Sequence, residues 1–296
     1  MKRLTVLITL TIVAGSLSAS CLTLPLAAAA PSIWLGSLGP RALTRSQEVA
    51  SRQIPPIDTA SPSCASPTPG EIEECQRLEQ QILASTVRLE WHLWNMIDDG
   101  NGYITGKGGV GYATIKEGRY LVTHNHSEIL RSDLKDGSLI TVSVFSADGE
   151  PIWLEVPLSL ISTVVEETET LVIEFGNSPG QGPFAVTGLT SAEFKAWEVI
   201  PLRPGMEVAQ IDWDGATASV NWVIVENVIT GRGTPILELA NFTAEGTSGG
   251  GIFWNGYHIA NTWYQATDLD RETGTVLRRY SVAALNSPQV VRSRSN

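Results

Sequence analysis

The spacing of apolar residues changes once along the chain. Between residues 71 and 85 apolar side chains recur every three or four positions and acidic residues fill the first turn, which predicts an amphipathic helix from Glu71 to Ser85. From residue 86 onward apolar and polar residues alternate, as in the runs 87–94, 141–145, 152–156 and 219–225. A period of two is typical of half-buried β-strands. The sequence therefore predicts a helix followed by a β-rich domain from 86 to 296.

The strand-like runs recur at roughly ten-residue spacing, separated by turn signals such as Asp136-Gly137, Asp148-Gly149 and Asn255-Gly256. This arrangement is typical of an all-β sandwich or barrel. The runs fall into two groups, about 86–180 and 198–280. After the first helix, only 191–197 and 280–286 have a helical pattern.

The N-terminal residues resemble a secretory signal. Lys2 and Arg3 precede an apolar run that ends at Gly15, and Ala28 and Ala30 offer a small-x-small cleavage site. The run is shorter than the roughly 20 residues that a membrane-spanning helix needs, although an uncleaved anchor is the alternative. We therefore expect residues 1–30 to be a signal peptide and the mature protein to be secreted or held at the cell surface.

The residues around Cys21 loosely resemble a bacterial lipoprotein signal, so a lipid tether at this cysteine is a further possibility for the N-terminus. Residues 31–70 are rich in Ser, Pro, Thr and Ala without a sustained period, which predicts a linker. Cys64 and Cys75 flank the end of this linker. In an oxidising compartment we expect these two cysteines to pair.

Composition excludes several classes of function. The 296 residues include 31 acidic against 20 basic side chains, a net charge of −11, which argues against a nucleic-acid-binding protein. The three cysteines have no zinc-site spacing, and we expect no metal or cofactor. The run 106–111 matches G-x-G-x-x-G, but strand-like residues follow it where a dinucleotide site requires a helix.

Three segments carry residues suited to nucleophilic catalysis. Val122–His126 presents a histidine beyond a strand, Glu169–Phe175 begins with an acid, and Glu245–Gly251 holds Ser248 among glycines. A serine hydroxyl needs a base within hydrogen-bond reach, and that base needs an acid to fix its tautomer. Glycines around the serine let backbone N–H groups turn toward an oxyanion.

Together, in this order, the three segments resemble the trypsin/chymotrypsin-type serine endopeptidases over residues 86–290. Thr123-His124-Asn125-His126 is similar to that family's histidine segment, and Gly246–Gly250 to its Gly-x-Ser-Gly-Gly loop. The resemblance implies two packed antiparallel six-stranded β-barrels with the site between them, and a closing helix near 281–285. It also implies Ser248 as nucleophile, His126 as base, Glu169 as acid, and an oxyanion hole formed by the N–H groups of Gly246 and Ser248.

The sequence departs from the family's pattern at three positions, of which Gly251 in place of the common Pro is neutral. Glu169 stands where the family usually has Asp, so Glu167 and Asp133 remain alternative acids, and His124 is the alternative base if the register is shifted. Thr247 precedes the nucleophile where many animal members have Asp. Activation through a salt bridge from a new N-terminus to that Asp is therefore not expected.

The resemblance also implies a substrate pocket formed by Phe242, Thr243, Thr262 and Trp263. No acid stands at 242, so we expect an apolar or small residue before the scissile bond rather than Lys or Arg. The expected partner is a peptide or protein substrate, and the expected state is a monomer. A β-barrel module that has lost catalysis and binds a partner is the alternative function.

Overall fold

The computed structural model describes residues 62–96, 103–125, 137–167, 169–175, 184, 187–215, 217–231, 233–270 and 272–292. The predicted signal peptide, Cys21 and the linker up to residue 61 lie outside these ranges. His126 and Asp133, the predicted base and one alternative acid, also lie outside them. The described residues belong to one compact unit of the chain, Gln53–Asn296.

Two short α-helices and fourteen strands make up the described regular structure, together with single 3-10 turns at Leu158–Leu160 and Trp197–Val199. The helices are α1 (Ile72–Ala84) and α2 (Pro288–Arg292). The strands are β1 (Thr86–Met96), β2 (Tyr103–Lys116), β3 (Tyr120–Thr123), β4 (Leu139–Ser146), β5 (Pro151–Pro157), β6 (Ile161–Glu166), β7 (Leu171–Phe175), β8 (Glu193–Phe194), β9 (Glu207–Trp213), β10 (Ala218–Ile229), β11 (Ile236–Leu239), β12 (Gly251–Trp254), β13 (Tyr257–Leu269) and β14 (Val276–Leu285).

The strands form two sheets that follow one another in the chain. The first sheet has the order β5-β4-β1-β2-β3-β7-β6, and its neighbouring strands are antiparallel. The second has the order β12-β9-β10-β11-β14-β13-β8, and β12 also pairs with β13. Six strands of the second sheet therefore close into a barrel, with β8 added in parallel at its edge.

The predicted all-β, two-barrel fold class is confirmed. The first sheet differs in detail, because it has seven strands and curls into a half-barrel without a ladder between β5 and β6 among the described residues. Each sheet encloses its own apolar core, one around Trp91 and Leu121 and the other around Val225 and Leu237. No helix within the described part of the chain is long and apolar enough to cross a membrane.

The two later segments with a helical pattern are not helices, and that prediction is wrong. Residues 193–194 form β8, and Tyr280–Leu285 belongs to β14, which pairs with β11 on one side and β13 on the other. The run Val282–Leu285 is buried throughout, and periodicity alone does not separate a short, fully buried strand from a helix. The C-terminal helix is α2, which begins after 281–285, where the closing helix was expected.

Helix α1 matches its prediction closely and packs where the two sheets meet. Ile82 is 1% exposed and shares a cluster with Tyr112 of β2 and Ala209 of β9. At the end of the helix, the Ile115 N–H donates to the Ser85 carbonyl at 2.8 Å. The helix therefore joins both sheets into one packed structure.

The residues before α1 are attached to the second sheet. A disulfide joins Cys64 and Cys75, whose Cα atoms are 5.5 Å apart. The Glu207 carboxylate of β9 accepts hydrogen bonds from the N–H groups of Cys64 and Ala65 at 2.6 and 3.0 Å. The final part of the predicted linker, 62–70, is thus held in place by a disulfide and by hydrogen bonds to a carboxylate. The composition of this segment does not predict that attachment.

Candidate active site

The predicted nucleophile lies in the loop that connects β11 to β12. Ser248 is half-buried, and its carbonyl accepts the Tyr112 N–H of β2 at 2.8 Å. Beyond it, the Gly249 N–H donates to the Thr262 carbonyl at 2.7 Å, and the Thr262 N–H donates to the Gly250 carbonyl at 2.8 Å. The backbone from 248 to 250 is therefore held by strands of both sheets.

Gly249 must be glycine for two reasons. Its φ of +80° lies in the left-handed region, and a Cβ there would overlap Thr123 Oγ1 and the Tyr112 carbonyl. The same Cβ would lie 2.8 Å from the backbone nitrogen of His124. The nucleophile loop thus contacts the end of β3, the strand that leads to the predicted catalytic histidine.

The register of β3 and β7 brings the predicted acid to the same end. Thr123 pairs with Leu171, so the residues after β3 lie beside those before β7. The His124 Nδ1 is 2.9 Å from the Glu169 carbonyl, and because a carbonyl only accepts, this nitrogen carries the proton. Asn125 Nδ2 donates to the Glu167 carbonyl at 3.1 Å. The segments around 124, 169 and 248 therefore meet, while His126, two residues beyond His124, lies outside the described residues.

The two carboxylates near β7 contact different parts of the molecule. Glu169 is half-buried, and its Oε2 accepts the Thr234 hydroxyl at 2.6 Å, from the connection between β10 and β11 of the second sheet. Glu167 Oε1 accepts the Ser287 hydroxyl at 2.8 Å, next to α2. Glu169 is thus the carboxylate that extends toward the second sheet.

The four predicted pocket residues have different surroundings. Thr262 is buried beside the nucleophile loop, and its hydroxyl accepts Gln210 Nε2 at 3.1 Å. Thr243 is buried and bonded to Gln265. Phe242 is 46% exposed, and the ring of Trp263 packs edge-on against Tyr264.

Several residues of the site have no signal in the sequence. Ser281 donates to Asn241 Oδ1 at 2.8 Å and accepts Gln210 Nε2 at 3.3 Å, which extends the polar network behind Thr262. Asp212 and Trp213 at the end of β9 contact the loop before Ser248. These residues come from separate strands, so no short motif joins them.

Burial changes the pKa of two side chains behind the site. It lowers the pKa of His258 to about 3 and raises the pKa of Tyr112 to about 12, so both side chains are neutral at pH 7. His258 is fully buried between the rings of Phe194 and Phe253, and Asn286 Nδ2 lies 3.1 Å from its Nδ1. A histidine enclosed in this way is a packing residue.

Within the described ranges, no group of His, Cys, Asp or Glu is arranged to hold a metal ion.

No protein-family model matches the sequence, and no curated protein matches it. Similar solved structures include the HtrA-type protease AlgW in a serine-to-alanine variant with a decapeptide, at 14% identity and a TM-score of 0.47, covering 71% of this chain and 62% of that one. AlgW with a tripeptide has 14% identity and a TM-score of 0.43, covering 70% and 58%. The active form of the Rv3671c protease from M. tuberculosis has 13% identity and a TM-score of 0.45, covering 80% and 93%.

The chain thus spans about three fifths of the AlgW chains that it resembles. The described residues of this chain form two mainly antiparallel β-sheets within one compact unit, the fold class that the sequence motifs imply.

Proposed function

We propose that this protein is a secreted serine endopeptidase that hydrolyses peptide bonds through an acyl-enzyme intermediate. The observation that carries the proposal is the meeting of three segments at one place. The Ser248 loop contacts the end of β3, and the residue after β3 bonds to the Glu169 carbonyl before β7. A nucleophile loop, a histidine segment and an acid are the parts that a serine hydrolase requires.

In the proposed mechanism, Ser248 Oγ attacks the carbonyl carbon of the scissile peptide bond while His126 takes its proton. The N–H groups of Gly246 and Ser248 donate to the oxyanion that forms. His126 then gives the proton to the leaving amine, and the acyl group stays on Ser248. Water attacks this ester, with His126 again as base, and releases the carboxylic acid and the free serine.

Glu169 is the proposed acid, which orients His126 and stabilises its cation. Support comes from the Glu169 carboxylate, which extends toward the second sheet, whereas the Glu167 carboxylate bonds beside α2. Glu performs the same role in some hydrolase triads.

Labelling with a fluorophosphonate tests the proposal directly, since this probe reacts with an activated serine. We expect the full chain to be labelled and the Ser248→Ala variant not to be labelled. Circular dichroism should show that both proteins are folded. Glu169→Ala should lower the labelling rate by at least about 100-fold, because removal of a triad acid costs about 10⁴-fold. The matched variant Glu167→Ala should stay within about threefold.

Absence of Ser248-dependent labelling in folded protein would reject the enzyme and leave the non-catalytic binding module. The reverse order of the two glutamate variants would move the acid to Glu167.

Export is the second part of the proposal and rests on the sequence of residues 1–30. N-terminal sequencing of protein recovered outside the cell should begin close to residue 31. An intact Met1 would contradict cleavage, and a lipid on Cys21 would replace secretion by a tether.

The proposed preference is for an apolar or small residue before the scissile bond, because Phe242 rather than an acid stands at the position implied for the pocket base. Profiling with a peptide library measures this preference. Strict cleavage after basic or acidic residues would contradict it.

A further inference from the structure

The nucleophile loop is held unevenly on its two sides. Ser248, Gly249 and Gly250 bond to the backbones of β2 and β13. Residues 244–247 carry one of the two proposed oxyanion donors, the N–H of Gly246. Their described backbone bonds are local: the Thr247 N–H donates to the Ala244 carbonyl at 3.4 Å, and the Thr247 carbonyl accepts the Gly250 N–H at 2.9 Å. The Thr247 hydroxyl closes that turn on the Ala244 carbonyl at 2.9 Å. Among the described residues, none of these local bonds joins the turn to the backbone of a strand.

Two side chains at the end of β9 contact the turn itself, while Gln265 of β13 bonds to the preceding residue, Thr243. Asp212 Oδ1 accepts the Ala244 N–H at 3.3 Å and the Trp213 N–H at 2.9 Å. Asp212 Oδ2 accepts Asn221 Nδ2 of β10 at 2.7 Å. The carboxylate therefore joins the start of the turn to the β9–β10 hairpin.

Trp213 contacts the turn at Gly246. A Cβ on Gly246 would lie 2.8 Å from two ring carbons of Trp213, and the φ of Gly246 is +94°. The indole Nε1 is buried and has no hydrogen-bond partner among the described residues, so packing alone places this ring. The Trp213 ring thus packs directly against the backbone of Gly246, which carries the proposed oxyanion donor.

The hairpin that carries both residues is itself fixed to the first sheet. The Ala218 N–H at the start of β10 donates to the Ala147 carbonyl, in the turn between β4 and β5, at 2.9 Å. Ala147 and Ala218 are buried in the same apolar cluster, against which Trp213 also packs. The support under the turn is therefore anchored in both sheets.

We propose that Asp212 and Trp213 are positioning residues that place the Gly246 N–H for the oxyanion, so that the loop is held in its working position by β9. No charged side chain lies in the loop from 246 to 250, so an ion pair from this stretch cannot serve the same purpose. The inference rests on the proposed function, because an oxyanion donor matters only if Ser248 attacks a carbonyl. Neither residue touches the reacting atoms.

The test measures the labelling of the full chain by a fluorophosphonate over a range of probe concentrations. Saturation separates the maximal labelling rate from the half-saturating concentration. The phosphonyl oxygen becomes anionic only as Ser248 attacks, so a misplaced donor lowers the maximal rate and leaves the half-saturating concentration unchanged. Loss of one oxyanion donor costs about 10²–10³-fold, and we expect at least about tenfold for Asp212→Ala and for Trp213→Leu.

Two variants separate positioning from general stability. Asp212→Asn keeps an oxygen for the Ala244 N–H and should recover to within about threefold of the original rate. Trp222→Leu makes the same substitution on β10 of the same hairpin, where the indole bonds to Glu79 of α1 at 2.8 Å and does not support the loop. Trp222→Leu should lower the melting temperature without lowering the maximal rate by more than about threefold.

The results distinguish failure of the positioning role from failure of the proposed function. If the unaltered chain is not labelled at Ser248, the proposed function fails. If it is labelled and folded Asp212→Ala reacts at the same maximal rate, the positioning role is wrong. An equal loss of rate in Trp222→Leu would also overturn it, because the effect would then follow stability alone. Asp212→Ala decides the question if Trp213→Leu does not fold.

Discussion

His258 is a titratable side chain with no exposed surface, so its surroundings make the stability of the fold depend on pH. Burial lowers its pKa from 6.5 to about 3 in the folded protein. Below pH 6.5 the unfolded chain binds a proton that the folded chain does not, and stability is lost as the pH falls toward 3. The expected slope from this group is about 1.4 kcal/mol per pH unit.

Urea denaturation between pH 4 and 8 measures this dependence. His258→Gln removes the titrating group and should flatten the slope by about that amount. Equal slopes in the original chain and in His258→Gln would contradict the assignment.

At the same scale, the sequence predicts some residues of the site better than others. Ser248 and its glycines are predictable because the geometry of one tight loop dictates one short run of residues, as Gly249 shows by its φ and its contacts. Asp212 and Trp213 are not predictable, since they reach the loop only through the pairing of β9 with β12. Glu169 is intermediate: its place before β7 follows from the pattern, but its bond to Thr234 depends on how the two sheets pack.

At the scale of elements, the short covalent loop before α1 has an energetic consequence. The Cys64–Cys75 disulfide closes a loop with a sequence separation of 11 residues. It lowers the conformational entropy of the unfolded chain and so stabilises the fold by about 2–3 kcal/mol. Reduction should lower the free energy of unfolding by that amount, measured by denaturant midpoints with and without a thiol reductant. The double variant Cys64→Ser/Cys75→Ser should have the lower midpoint already and not respond to reductant. An unchanged midpoint for the original chain on reduction would refute this contribution.

Helix α1, which has one exposed face, is predicted closely, whereas the buried end of β14 is not. Helix α1 has its apolar residues on one side and acidic residues at its start, and its observed bounds lie within one residue of the prediction. The end of β14 is buried on all sides, and its run of apolar residues fits a helical pattern as well as a strand. This segment is a strand because it pairs with β11 and β13. Such pairing with other strands is not visible in a local sequence pattern.

At the scale of the whole molecule, the cluster around Ile82 makes the two sheets depend on each other. Because Ile82 contacts residues of both sheets, its loss opens a cavity between them. We expect Ile82→Ala to cost about 2–5 kcal/mol and to shift one calorimetric transition without splitting it. Ile72→Ala on the same helix, where the side chain is 44% exposed, should change stability by less than about 0.5 kcal/mol. Two separate transitions in the original chain would show that the sheets unfold independently.

The hydrogen bond from the Tyr112 N–H to the Ser248 carbonyl also bears on the order of events during folding. Residues 112 and 248 are far apart in the chain, so we expect this contact to form late, after each sheet has assembled. A chain with only one sheet formed lacks part of the proposed active site. In a refolding experiment, the proposed activity would then appear after the circular dichroism signal of the β-structure, so a half-folded chain would not yet cleave other proteins.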